Sequence, residues 1–402
     1  MTVGVKNFRG ERLKEARLAR GYYKNALGDK IGVSAVAIGR YEDGLDSPQE
    51  ARLEAIASEL KFSVNFFVTP GWPEEIDLIH WRSRSSETKA AREATHQRIK
   101  WLCEMYGLLE SELDFPTLKL PELTLPADFR LITDDDIESA ASAVRRLWGL
   151  GLAPVPDVVL ALENAGIPVA ALRIDSDKQD GFYFYSPMLD RAFVGINIKE
   201  ASCARARFDA AHELGHIVLH GRVAKEDAEK PENHAVIERQ AHRFAGAFLF
   251  PQSAFRSEVG EVSLNYLRSL KKRWGMSIAA MIMRAGDLQM IDGEQRQWLF
   301  RNMTYRRWKG HLAEPFDAQN EMPLEQPRML RRGFEVLLET GDFARSSILA
   351  SLPQPLEELE QLAALEPNFL ATATPVDFQV RRKPGFEMTD LESGNVIEFK
   401  RR

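Results

Sequence analysis

Ala206-Arg207-Phe208-Asp209-Ala210-Ala211-His212-Glu213-Leu214-Gly215-His216-Ile217-Val218-Leu219-His220 is the stretch that decides the reading of this chain, and it sits in a helix-forming run that begins near Ala201. On an α-helix, residues four apart share a face. His212 and His216 can therefore aim ring nitrogens at one metal ion while Glu213 points at the water that ion holds. Zinc with three protein ligands keeps one position open, brings the pKa of its water to roughly 7 and polarises a carbonyl. His212 and His216 are thus candidate Zn2+ ligands, and Glu213 is the candidate general base.

A third ligand is sought in the next helical stretch, Ile237 to Pro251, where Glu238 is the choice. Ala241, Ala245 and Phe248 share its face and are small or apolar, which suits a helix packed against the one carrying the histidines. Two His and one Glu with an open position is the ligand set of a catalytic rather than a structural zinc site. Three rivals stand beside Glu238. His220 lies one turn further along the first helix, His234 in the loop ahead of Glu238, and His242 four residues after it. A pattern with a third His six residues after the second is excluded, because position 222 is Arg.

Ala192 to Ile198 alternates and is rich in β-branched and aromatic residues, so it reads as a strand. Lying just ahead of the site helix, it is either a core strand or a place where an extended peptide pairs through its backbone. Ile167–Leu172 and Gly181–Tyr185 are further expected strands, and helices are expected over Asp134–Trp148 and Val155–Asn164. Cys103 and Cys203 read as buried apolar residues.

The amino-terminal 68 residues hold short amphipathic runs broken by glycines, at Arg12–Leu18, Ala26–Ile31, Val36–Tyr41 and Leu53–Leu60. Ala26 to Gly44, with glycine at the turn and Ser34 as N-cap, resembles the Cro/repressor-type (XRE) helix-turn-helix. In such a unit the start of the second helix reads bases in the major groove of double-stranded DNA. That resemblance points to Ser34, Ala35 and Ala37, with Arg40 as the strongest polar candidate and Lys24 and Lys30 for phosphates. Charge gives little help, since residues 1–62 hold 11 Lys plus Arg against 9 Asp plus Glu, a net of +2. DNA affinity would then draw on a homodimer, or on Arg9, Arg12, Arg17 and Arg20 as a basic face. The other reading is a helical docking domain that holds a protein.

Asp180-Gly181-Phe182, Asn197-Ile198-Lys199, Ala206 to His220 and Glu238 to Pro251, in that order, resemble the ImmA/IrrE family of metallopeptidases. The resemblance, with its repressor-type fusion, covers about residues 8–310. It implies zinc held by His212, His216 and Glu238, Glu213 as general base, and a repressor or antitoxin protein as the cleaved partner. One departure is His242, where the family usually has a small polar residue, often Asn.

These readings divide the chain into a helix-turn-helix domain (1–68), a helical connector (69–130) with a long helix over Glu87–Leu113, and a metallopeptidase domain (131–252). A helical domain (253–322) and a carboxy-terminal domain of unknown role (323–402) follow. In the helical domain, Leu264–Trp274, Ile278–Leu288 and Gly293–Met303 read as helices, and Arg301, Arg306, Arg307 and Lys309 form a basic run. In the last domain, Arg328–Leu352 and Leu356–Leu365 read as helices, and Val376–Arg382 with Asn395–Lys400 as a terminal hairpin. The expected fold class is multidomain and mainly α, an all-α helix-turn-helix ahead of an α+β, zincin-like peptidase domain. The 402 residues are 44% hydrophobic with net charge −6 and two cysteines, enough for several cores and no disulfide framework. No apolar stretch reaches the ~18 residues a membrane span needs, so the cytoplasm is the expected compartment and no membrane partner is expected. The chain reads as a zinc endopeptidase and transcription regulator acting in a stress or toxin-antitoxin response. The alternative is a DNA-binding regulator or antitoxin that keeps the zinc fold without turnover.

Overall fold

The computed structural model describes residues 4–74, 80–81, 89–172, 181–199, 201–228, 230–310, 312–340 and 344–371. The expected terminal hairpin lies outside them. Four short helices open the chain: α1 (Gly10–Ala19), α2 (Lys24–Ile31), α3 (Ala35–Glu42) and α4 (Glu50–Leu60). The turn between α2 and α3 follows from two residues. Gly32 ends α2 at φ 69°, in the left-handed region glycine enters without steric cost, and Ser34 starts α3 by accepting the Ala37 N–H at 3.1 Å. Leu13, Leu27, Ile38, Leu53 and Ile56 close a core between the four helices.

The long helix α5 (Lys89–Glu110) follows, then α6 (Asp134–Leu147) and α7 (Val158–Asn164). The Asp134–Asp136 cluster marks a helix start: Thr133 and Asp136 exchange hydrogen bonds as a capping box. Four strands form one sheet, β1 (His80–Trp81), β2 (Val169–Leu172), β3 (Gly181–Ser186) and β4 (Arg191–Asn197), in the order β1-β3-β4-β2. β3 runs antiparallel to β4, and β2 parallel to it. β4 is therefore an interior strand whose backbone groups are taken on both sides. Peptide pairing along Ala192–Ile198 is overturned for that reason, and the stretch is a core strand, buried as far as Asn197.

α8 (Cys203–His220) covers one face of the sheet, α10 (Pro231–Leu249) packs on α8 and α9 (Lys225–Ala228) on α10, followed by α11 (Gln252–Glu258), α12 (Leu264–Trp274), α13 (Ile278–Asp287) and α14 (Gly293–Tyr305). The stretch expected as one helix over Arg328–Leu352 is two, α15 (Met329–Glu339) and α16 (Arg345–Ser351), and α17 (Leu356–Leu362) comes after them. Strand alternation splits the sheet between two cores. Tyr183, Val194 and Ile196 pack with α8 and α10, whereas Phe182, Phe184 and Phe193 pack with α5 and the helices after residue 328.

The helix-turn-helix joins that second core. Trp101 of α5 packs edge-on against Phe62 and Phe66, with centroids 5.8 and 6.4 Å away. Arg12, 1% exposed, donates to the carbonyls of Thr69 and Pro70 and pairs with Glu15 and Glu104 at 2.8 Å each. Arg17 pairs with buried Glu42, and Arg20 shares Glu358 of α17 with Arg98 of α5. The expected basic face of Arg9, Arg12, Arg17 and Arg20 is therefore not formed: three of the four guanidiniums are spent inside the fold. Among the described residues, no helix is long and apolar enough to cross a membrane.

Candidate metal centre

α8 starts where Ser202 accepts the Arg205 N–H at 3.3 Å, and its two motif histidines face α10. The two helices touch closely because position 215 is glycine. A Cβ there would lie 3.2 Å from the Cα and O of Ala241 and 3.1 Å from the Phe244 ring. This approach lets a side chain of α10 reach the histidines.

Glu238 does so. His212 Nε2 and His216 Nε2 are 3.0 Å apart, and the Glu238 carboxylate oxygens lie 3.4 Å from each. Nitrogen and oxygen ligands about 2.0–2.1 Å from a shared tetrahedral ion stand roughly 3.3 Å from one another, so these three donors fit a zinc-sized ion. Their protonation states fit it as well. Burial, reinforced by the neighbouring His212 ring, pushes His216 down to about 3 and keeps it neutral, as a metal ligand must be. Burial opposes ionisation of Glu238, yet the His212 imidazole facing it holds the carboxyl well below its ordinary range.

Glu213 follows His212 on the helix and lies against β3. A Cβ at Gly181 would come within 3.0 Å of Glu213 Oε1 and 3.1 Å of the Gly195 carbonyl, so the carboxylate occupies space left by a missing side chain. Three of its residues are closed to solvent, with His212, Glu213 and His216 at 0%, 2% and 1% exposure, while Glu238 is 15% exposed. Tyr183 of β3 stacks on His216 at 5.8 Å.

The rivals of Glu238 have distinct places. His220 turns its Nδ1 to His216 Nδ1 at 3.2 Å and its Nε2 to Gln240 Oε1 at 2.9 Å. His234, expected in a loop, lies in the first turn of α10, because Pro231 starts that helix earlier than the motif suggested. His242 donates from Nδ1 to the Glu238 carbonyl at 2.7 Å, and its ring lies 4.4 Å from that of His212. His212, Glu238 and His242 offer donor atoms within 4.8 Å of one another, a looser set sharing two residues with the first. Beside His242 a cavity of about 800 Å³ opens between α8, α10 and α13, with Phe208, Met276, Met283, Met303 and Trp308 in its walls.

Sequence reasoning missed Gln240, and it took Gly181 only as part of the resemblance and as the start of a strand. Gln240 is fully buried on the helix stripe that holds Ile237, Ala241 and Phe244, and its amide meets the Phe129 carbonyl and His220. A lone polar residue in that apolar stripe was the available signal.

In the amino-terminal unit, Ser34 and Lys30 are exposed, while Ala35 and Ala37 are half-buried. Arg40 pairs with Asp46 at 2.5 Å and Lys24 with Glu42 at 3.2 Å. Tyr23 and Val36, at 68% and 72% exposure, share this surface with them.

Two family matches agree with this architecture. Residues 162–285 match the peptidase family described as IrrE N-terminal-like domain, a span that holds β2, β3, β4 and every residue of the metal centre. Residues 10–65 match a helix-turn-helix domain, spanning α1 to α4. No curated protein matches the chain. The chain therefore carries a helix-turn-helix domain, of the kind that binds DNA, ahead of a peptidase-family domain of the IrrE N-terminal-like type.

Proposed function

We propose that the protein is a zinc-dependent endopeptidase and transcription regulator that cleaves a repressor or antitoxin-like protein. The observation that carries this reading is the convergence of His212 Nε2, His216 Nε2 and the Glu238 carboxylate at 3.0 to 3.4 Å, with Glu213 next to His212 on the same helix. These three donors would hold zinc. When bound, the ion supplies a Lewis acid that polarises a peptide carbonyl and lowers the pKa of its water to roughly 7. Glu213 takes the proton of the attacking water and passes it to the leaving amine. Its place against Gly181 keeps the carboxylate aimed, since no side chain on β3 displaces it.

The amino-terminal domain serves as the address, bringing the peptidase to DNA-bound repressors or to its own operator. Ser34, Ala35, Ala37 and Arg40 would face bases, and Lys24 and Lys30 phosphates. The Arg40–Asp46 pair is exposed, so a base edge can take Arg40 from Asp46 at little energetic cost. Expected surroundings are the cytoplasm and a stress or toxin-antitoxin circuit, with a homodimer on operator DNA. One observation favours the second reading, a regulator that does not cut in this state. His212, Glu213 and His216 are at most 2% exposed and Glu238 is 15% exposed, which leaves a polypeptide little access to the three donors.

The experiment compares new protein amino termini in cells expressing wild type or Glu213→Gln, with zinc content equal in both. Cuts that appear only with wild type support the peptidase and name its substrate. Identical termini, in growth and under stress, would leave the non-cutting regulator.

A further inference from the structure

We infer that Gln240 and His220 form a positioning relay that sets which nitrogen of His216 keeps its lone pair for the metal. This rests on the zinc reading above and extends it to groups that touch neither ion nor substrate.

The relay starts at two backbone carbonyls. Those of Phe129 and Ile132 lie 2.8 and 3.4 Å from the Gln240 side-chain nitrogen. A carbonyl only accepts, so the amide NH2 faces them and Oε1 points the other way. That oxygen sits 2.9 Å from His220 Nε2, which therefore carries a proton and donates it. Complete burial favours uncharged rings, and a neutral imidazole has one N–H and one lone pair. His220 Nδ1 is then an acceptor. It faces His216 Nδ1 at 3.2 Å, so His216 carries its proton on Nδ1. The lone pair of His216 is left on Nε2, the atom 3.0 Å from His212 Nε2 and 3.4 Å from Glu238 Oε1.

Ligating histidines generally give their second N–H to an acceptor that fixes ring and tautomer, and loss of that partner costs on the order of 10–100-fold in metal affinity. Here the acceptor is another imidazole, whose own tautomer is set by an amide on a second helix. α10 thus acts twice, through Glu238 as ligand and through Gln240, two residues on, as the fixed end of the relay. An apolar residue at 240 would free His220 to put its proton on Nδ1, facing His216. The proton of His216 would then move to Nε2, where the metal should bind.

The full-length, metal-free protein labelled with 15N-histidine tests this directly, because two-bond proton–nitrogen correlations report which ring nitrogen is protonated. The expected result is Nε2–H on His220 and Nδ1–H on His216. The opposite tautomer in either ring overturns the inference, whatever any variant does. Zinc affinity, measured by chelator competition, supplies the second readout. Gln240→Met should bind zinc on the order of 10–100-fold more weakly, whereas Gln240→Glu, whose buried protonated carboxyl donates its O–H to the Phe129 carbonyl and still offers an oxygen to His220, should stay within about threefold of wild type. Equal weakening in both, or none in Gln240→Met, would show a packing role only and overturn the relay. Failure of wild type to bind zinc would instead overturn the zinc reading, and the metal-free tautomers would still decide the relay.

Discussion

Glu238 stands 15% exposed at the mouth of the triad, while the two imidazoles it touches are buried behind it. Removing it leaves two imidazoles, which hold a divalent ion more weakly than three donors that include a carboxylate. Glu238→Ala should therefore empty most of the metal from the purified protein at sub-stoichiometric free zinc, as read by metal analysis. Full occupancy in that variant would move the third ligand to His242, whose donor atom shares the looser set. His212, Glu213 and His216 were legible because a helix makes their relation local, four residues and one face. Glu238 was legible one step further, through the small residues that let its helix pack closely. Gln240 was not, because a glutamine in a helix commonly points to solvent. Only the tertiary placement of Phe129 and Ile132 turns this one inward.

At the level of elements, the contact of α8 with α10 sets the geometry of the centre, and Gly215 is its closest point. Gly215→Val would drive a branched side chain into the Ala241 backbone, at a cost on the order of 1–3 kcal/mol. The expected outcome is a lower melting temperature with reduced zinc content in the same sample. A variant that melts lower yet binds zinc normally would show that the triad tolerates helix separation. Turns teach a related lesson about legibility. Gly32 with Ser34 and Gly275 with Ser277 build the same junction, a left-handed glycine, one apolar residue and a serine N-cap. Both junctions could be read from the sequence. The faces were legible only in part: four residues after the serine both helices bury an apolar side chain, Ile38 and Met281, but two residues after it Val36 is 72% exposed where Ala279 is half-buried. Whether a helix after such a turn meets solvent or another helix depends on what the rest of the chain brings to it. β4 makes the same point, since alternation marked it as a strand but not as an interior one.

The joint between the helix-turn-helix and α5 belongs to the whole molecule. One guanidinium, Arg12, sits between the carboxylates of Glu15 and Glu104, and all three are nearly closed to solvent. Burial, against the pull of Arg12, pushes Glu104 up to about 7, and burial raises Glu15 in the same direction. A carboxyl with a folded-state pKa above its unfolded one stabilises the fold fully below the unfolded value of roughly 4.3. That contribution is lost as pH rises through the folded value. Stability should therefore decline between about pH 4.5 and pH 7, by on the order of 2 kcal/mol from this site. Glu104→Gln should flatten that decline in urea melts taken across the same range. An unchanged slope would mean that Glu104 is ionised in the fold throughout. None of this was legible in the sequence, which shows Arg12 and Glu15 as ordinary helix-surface spacing and gives no sign of Glu104 between them.

The shared core behind the sheet has a consequence for how the protein comes into being. Arg20 and Glu358, 338 residues apart, meet in it, together with Phe182, Phe184 and Phe193 of the sheet. During synthesis at about 5–20 residues per second, the four amino-terminal helices can form their local core within the first seconds after leaving the ribosome. Their docking surface, with Phe62 and Arg20, must wait until residues near 358 have also emerged, tens of seconds later. For that interval the helix-turn-helix exists folded but unmoored, able to meet other molecules before the peptidase-family domain is seated beside it.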